Sequence, residues 1–67
     1  MWILTPESSN IVKWKYEETT LTVEFKGGAQ YQYLEVPQRV IDVFEKAESA
    51  GSYLNKRIKG TYEFVKV

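Results

Sequence analysis

The chain has 67 residues with nine basic and nine acidic side chains, and 43% of its residues are hydrophobic and 15% aromatic. This length allows one domain with a small core, the apolar content argues against disorder, and the balanced charge provides no overall attraction to polyanions or membranes. The chain lacks cysteine and histidine, which excludes disulfides and thiolate chemistry and removes the commonest metal ligand and general base. No apolar run approaches the roughly 18 residues of a membrane span and no signal peptide is visible. We therefore expect a soluble cytoplasmic protein, bacterial or phage, with no metal and no cofactor.

The first element is ambiguous. Residues 1–7 include the apolar side chains Trp2, Ile3 and Leu4 before a break at Thr5-Pro6. They fit either a flap over the core or a short edge strand, and the flap is preferred. We treat 1–7 as a segment preceding a single domain over residues 8–67.

Residues 11–16 (IVKWKY) alternate in polarity, which predicts a strand with one wet face. In a regular strand, Val12 and Trp14 share one face, whereas Ile11 lies with the lysines on the other. Residues 17–19 are predicted to make a turn into a second strand over 20–26.

The Gly27-Gly28 turn determines the register of the third strand. A two-residue loop would place Gln30 and Gln32 in the core, whereas a three-residue loop with Gly28 in the left-handed conformation pairs Val23 with Tyr31. Burying an amide without partners costs about 1–3 kcal/mol. The three-residue loop is therefore predicted, with both tyrosines of the Tyr31-Gln32-Tyr33 motif facing the core.

Helical signals follow the hairpin. Pro37 begins an amphipathic helix with apolar residues at three- and four-residue spacing, and residues 49–51 are predicted to end it. Residues 52–59 predict a second short helix with Ser52 as a possible cap, and residues 61–67 a final strand. The predicted fold class is α+β: a small antiparallel β-meander of three N-terminal strands, one amphipathic helix, a short second helix and a C-terminal strand.

Catalysis is not expected, because the carboxylates are scattered and no nucleophile has a visible base partner. Residues 52–67 carry a local charge of +3, and residues 1–51 carry −3. A compact basic cluster beside aromatic rings suits single-stranded nucleic acid, although such clusters and rings are more often solvated surface and core. Asn55 either caps backbone or offers its amide to a ligand. The candidate nucleic-acid-binding residues are Lys56, Arg57, Lys59, Asn55, Tyr31, Tyr33 and Tyr53.

Short motifs recur along almost the whole chain, at residues 8–11, 21–25, 31–33, 36–37, 49–51, Asn55, 58–60 and Tyr62. Together they resemble the KTSC domain, which is named for the C-terminal extension of some lysyl-tRNA synthetases. Tyr31 and Tyr33 match the central Tyr-x-Tyr pattern of that family. The resemblance implies a non-catalytic domain of unestablished function for which RNA binding has been suggested. Two departures are Gly27-Gly28, where Asn-Gly is often expected, and residues 1–7, which lie outside the pattern.

Three functions remain open from the sequence. The first is an RNA- or tRNA-binding module, to which Lys13 and Lys15 could also contribute. The second is a protein-interaction or accessory module, for which exposure of Trp2, Ile3 and Leu4 would be the distinguishing feature. The third is a pocket that sequesters a small nucleotide between the tyrosines and Arg57.

Overall fold

A computed structural model describes residues 2–4 and 10–67. One antiparallel sheet contains five strands in sequential order, β1 to β5. The fold is therefore α+β, as predicted. Within the described ranges, no helix is long and apolar enough to cross a membrane. The elements are β1 Ile3–Leu4, β2 Ile11–Glu17, β3 Thr20–Phe25, β4 Gln30–Tyr33, α1 Gln38–Lys46, α2 Ala50–Tyr53, a π-helical segment Leu54–Ile58, and β5 Phe64–Lys66.

The β3–β4 hairpin has the predicted register. Val23 pairs with Tyr31 and Leu21 with Tyr33, and the Phe25 amide donates to the Ala29 carbonyl at 2.8 Å to close a three-residue loop. Gly28 has a φ of +95°, a conformation that glycine adopts readily. Both tyrosines consequently lie on the face that carries Leu21 and Val23.

The first long strand departs from simple alternation. Ile11 pairs with Phe25 and Lys13 with Glu24, so the register shifts by one residue at Val12. A β-bulge of this kind inserts an extra residue and reverses the facing of the residues before it. Ile11 is therefore buried and Val12 is exposed, the opposite of the regular-strand prediction. The bulge allows Ile11 and Trp14 to reach the same core.

The core lies between the sheet and the helices. Helix α1 contributes Ile41 and Phe44, and the Phe44 ring meets Trp14 edge-on with centroids 5.0 Å apart. Each fully buried large apolar side chain contributes about 1.5–3 kcal/mol relative to exposure. The buried hydrophobic residues are Ile11, Trp14, Leu21, Val23, Tyr33, Val36, Ile41, Phe44, Leu54 and Ile58.

The helical boundaries differ from the sequence prediction. Helix α1 ends at Lys46, before residues 49–51, and Ser49 caps α2 by accepting from the Ser52 amide at 3.3 Å. Ser52 therefore lies inside α2 and is not its cap. The helix continues as a π-helical turn, closed by a 2.7 Å bond from the Lys59 amide to the Leu54 carbonyl. The sequence prediction placed a serine cap correctly in type but at Ser52, three residues after the observed cap Ser49. The error arose because residues 49–51 contain both the signals that end α1 and those that begin α2.

The end of the chain adds the fifth strand. Strand β5 pairs with β4, with Phe64 opposite Tyr33 and Lys66 opposite Tyr31. It is shorter than the predicted strand over 61–67, because Gly60, at φ +86°, begins a turn and Tyr62 forms an isolated bridge with Lys59.

The opposite face of the sheet carries polar residues on its central strands, and apolar residues lie at its edges. Ile3 and Leu4 pair with β2 as an edge strand, and the Nζ atoms of Lys13 and Lys15 lie 4.6 and 4.8 Å from the centroid of the Trp2 ring. The remainder of the predicted flap, Met1 and residues 5–7, lies outside the described residues. Thr22 lies on this face but is only 5% exposed, because its strand is central and its neighbours in the sheet are Lys15 and Gln32.

Candidate functional site

A groove of about 490 Å³ lies between the core-facing side of the sheet and the π-helical turn. Its volume falls within the usual range of small-ligand pockets, about 300–1,000 Å³. One wall comes from the sheet and the other from the π-helical turn and the residue after it. The lining residues are Phe25, Ala29, Tyr31, Tyr33, Asn55, Lys59 and Phe64.

Aromatic rings form the sheet wall of the groove. Tyr31 lies between two phenylalanines, with its ring centroid 5.6 Å from Phe25 and 5.4 Å from Phe64, and Phe64 also approaches Tyr33 at 5.9 Å. These spacings are typical of favourable edge and tilted ring contacts. Tyr33 is buried, Tyr31 and Phe25 are half-buried, and Phe64 is 51% exposed. The wall is therefore a fixed apolar surface that is accessible mainly at Tyr31 and Phe64.

The π-helical turn supplies the polar wall. Leu54 and Ile58, four residues apart, are buried in the core. Asn55 and Lys59 each follow one of these anchors, so they emerge side by side at the groove. Hydrogen bonding of the Lys59 amide to Leu54 and the bridge of Lys59 to Tyr62 hold this backbone against the sheet. π-Helical turns are rare and often occur at functional sites.

The structure separates the predicted basic cluster. Lys59 lines the groove, whereas Lys56 and Arg57 are exposed and lie outside its lining. Tyr53 packs toward the helices, with its ring centroid 6.0 Å from Phe44. Of the seven candidate residues, Tyr31, Tyr33, Asn55 and Lys59 are brought together. Their role in binding stays a prediction.

Tyr33 has a perturbed ionisation. Burial raises the pKa of its phenol above the ordinary value of 10.0, and the neighbouring Tyr31 raises it further. The charged phenolate is disfavoured because the apolar surroundings solvate it poorly. At neutral pH the buried Tyr33 phenol therefore stays uncharged, and Lys59 is the one lysine among the residues that line the groove.

Three lining residues were missing from the sequence-based set: Phe25, Ala29 and Phe64. Phe25 could have been included, because the predicted hairpin register already placed it beside Tyr31. Phe64 could not, since its position depends on β5 pairing with β4. Sequence alternation assigned Phe64 a face but did not identify the neighbouring strand.

Elsewhere the described residues offer weaker features. A polar depression of about 230 Å³ on the opposite face is lined by Lys15, Glu17, Thr20, Thr22 and Gln32, and the Lys15 Nζ lies 3.9 Å from a Glu17 carboxylate oxygen. Among residues 2–4 and 10–67, no group of three or more acidic, histidine or cysteine side chains could hold a metal ion.

Comparison with known proteins identifies the family. The sequence model of the KTSC domain family matches residues 7–62, most of the chain. This chain belongs to the KTSC domain family. The resemblance inferred from its short motifs is therefore confirmed.

Curated relatives of this KTSC domain include much longer proteins. The chain is 42% identical over 64 residues to proteins named lysine–tRNA ligase from Trichormus variabilis and Nostoc punctiforme, covering 92% of the chain. It spans 11% of the length of these ligases. A protein from Tsukamurella paurometabola is 41% identical over 61 residues, and there the match covers 88% of the chain and 91% of the relative.

The crystal structure of a KTSC domain protein from Yersinia pestis is also similar. It matches with a TM-score of 0.89 and 31% sequence identity, covering all of this chain and 96% of the other. The five-stranded sheet with its helices is therefore the fold of a KTSC domain.

Proposed function

We propose that this KTSC domain is a non-catalytic RNA-binding module whose primary contact is the aromatic groove. The observation that carries the proposal is the combination of an aromatic wall with an amide and a cation, Asn55 and Lys59. Unpaired bases stack on aromatic rings and have edges that an amide can hydrogen-bond, and a lysine contacts phosphate. Of the seven lining residues, none is a carboxylate, imidazole or thiol, which supports binding without catalysis.

The names of the curated relatives favour RNA over other ligands for this groove. The curated proteins that carry a similar segment include enzymes named for tRNA. Single-stranded loops and bulges are the usual targets of sequence-specific RNA recognition, because their bases are free to stack. We therefore propose an unpaired region of a structured RNA as the ligand, with Lys56 and Arg57 as peripheral phosphate contacts beside the groove.

The test is a titration of the isotope-labelled domain with a short RNA hairpin that has an unpaired loop, at low salt, followed by amide chemical shifts. Shifts should concentrate at Tyr31, Asn55, Lys59 and Phe64. Phe64→Leu keeps an apolar side chain but removes the stacking surface, and should weaken binding at least about fivefold, since one base–ring stack is worth about 1–3 kcal/mol.

Lys59→Gln tests the cation of the groove, and Lys46→Gln is its matched control. Both remove one exposed positive charge, but Lys46 lies in the last turn of α1 and outside the groove lining. Lys59→Gln should weaken RNA binding more than Lys46→Gln. RNA that leaves the groove amides unmoved, or equal losses in the two variants, would contradict the proposal.

A second candidate function, a protein-interaction module, is favoured by apolar side chains at both edges of the sheet. Leu4 is 69% exposed on β1, and Val65 and Val67 are 46% and 62% exposed at and just after β5. Such residues suit an interface, although both edge strands are short, which limits edge pairing. Sedimentation of the chain with and without residues 1–5 tests this function: self-association that disappears on truncation would support it.

A further inference from the structure

We infer that the groove holds an internal unpaired nucleotide of the RNA, with Lys59 and Lys66 contacting the phosphates on its two sides. This inference rests on the proposed function and adds the form of the ligand. It also assigns a role to Lys66, which lies outside the groove lining and was absent from the sequence-based site.

The position of Lys66 follows from the sheet register. Lys66 is directly opposite Tyr31 in the β4–β5 pair, and directly paired residues project from the same face of a sheet. Its side chain therefore leaves β5 on the face that carries the aromatic wall. Lys66 is exposed, so its ammonium is available to a ligand lying against Tyr31.

Lys59 approaches from the other wall. It follows the π-helical turn, and its backbone is fixed by the bond to Leu54 and the bridge to Tyr62. The half-buried ring of Tyr31 thus has a lysine on the helical side and a lysine on the neighbouring strand. The two lysines belong to different elements, the residue after the π-helical turn and β5, so each can contact a different phosphate of a ligand stacked on Tyr31.

None of the seven residues that line the groove carries a carboxylate. Glu24 is on the opposite face, where its carboxylate accepts a hydrogen bond from the Gln30 side-chain amide at 2.7 Å. The groove therefore has one lysine in its lining and a second lysine beside it on β5, and it complements a polyanion that passes through it.

The ligand follows from this arrangement. An internal nucleotide has phosphates on both its 5′ and 3′ sides, whereas a free 5′-mononucleotide has one phosphate. A groove of about 490 Å³ is of a size for one nucleotide unit. Two flanking lysines around one base thus favour a chain passing through the groove over a bound mononucleotide.

The experiment compares adenosine 3′,5′-bisphosphate with adenosine 5′-monophosphate, using groove amide shifts at low salt. The bisphosphate should bind about fivefold more tightly, the order expected for one additional exposed charge contact. In Lys66→Gln the affinity ratio should fall to about one, whereas the matched Lys46→Gln should preserve it. With a short single-stranded RNA, Lys66→Gln should also reduce the slope of log affinity against log salt by about 0.7.

Failure of this inference differs from failure of the proposed function. If RNA moves the groove amides but the bisphosphate binds no better than the monophosphate, or Lys66→Gln preserves the ratio, the internal-nucleotide inference is wrong and RNA binding stands. If neither RNA nor either nucleotide moves the groove amides, both are wrong. Tight monophosphate binding without RNA binding overturns both and favours the sequestering pocket.

Discussion

Replacing Thr19 by glycine should stabilise the domain, because the β2–β3 turn holds a β-branched residue in a left-handed conformation. Glu17 pairs with Thr20, which leaves a two-residue turn with φ of +47° at Glu18 and +63° at Thr19. Both positive values are typical of a type I′ hairpin, which normally uses Asn-Gly. The left-handed conformation costs an ordinary residue about 1–2 kcal/mol.

The expected gain is smaller than this strain. Glycine loses more conformational freedom on folding, which offsets about 0.5–1 kcal/mol. The hydroxyl of Thr19 donates to the Glu18 carbonyl, but this bond is exposed to water and its loss costs little. The tertiary contact of the turn is retained, because the Val36 amide donates to the Thr19 backbone carbonyl at 2.8 Å. The net stabilisation should be about 0.5–1 kcal/mol.

Urea denaturation followed by Trp fluorescence measures the free energy of unfolding, and thermal unfolding should show a Tm higher by about 2–8 °C. Thr61→Gly is the matched control. Thr61 is also exposed in a turn, but its φ is not positive. It should therefore lose stability from glycine without any relief of strain. The reasoning is refuted if Thr19→Gly is no more stable than Thr61→Gly.

Three further predictions test the hairpin, the core and the buried phenol. Gly28→Ala should destabilise the domain by about 1 kcal/mol in a urea titration because φ is +95°. Apart from the adjacent residues, nothing lies within 4 Å of the added methyl, so the cost is backbone strain, and a neutral result would contradict the left-handed loop. Phe44→Ala should cost about 3–5 kcal/mol, since it removes the ring that meets Trp14 and Tyr53. This is a large part of the total stability of about 3–10 kcal/mol for this length, so core amides should exchange at least about a hundredfold faster, and unchanged exchange would contradict the assigned core. Because the pKa of Tyr33 is raised in the folded domain, the unfolded chain loses the phenol proton at a lower pH than the folded domain does, and the free energy of unfolding should fall as the pH rises through about 10. In urea titrations at alkaline pH, Tyr33→Phe should flatten that decline. An unchanged decline would contradict the burial effect.

The β3–β4 hairpin shows what local rules can predict. The choice between two registers was made from the cost of burying Gln30 and Gln32, and the observed pairing of Val23 with Tyr31 confirms it. The same reasoning on β2 was wrong, because alternation assumes a regular strand. The bulge at Val12 brings both Ile11 and Trp14 into one core. Local alternation does not predict it, because the core that these residues enter is formed with the opposing helices.

The candidate site shows the same division. Tyr31, Tyr33, Asn55 and Lys59 were selected from the sequence as residue types suited to nucleic acid, and they line one groove. Lys56 and Arg57 were grouped with Lys59 because they are adjacent in the chain. The π-helical turn directs them elsewhere, since Leu54 and Ile58 must both face the core.

The sequence alone therefore determined the α+β class, the family, the hairpin register and the apolar stripe of α1, because each depends on periodicity, turn chemistry or short motifs within a few neighbouring residues. Tertiary structure decided which strand β5 joins, and with it the positions of Phe64 and Lys66 beside Tyr31. That pairing joins segments separated by about thirty residues, and its register depends on how the helices pack between them. No local pattern contains that information, so the contribution of Phe64 to the aromatic wall and the position of Lys66 beside the groove became visible only in the folded domain.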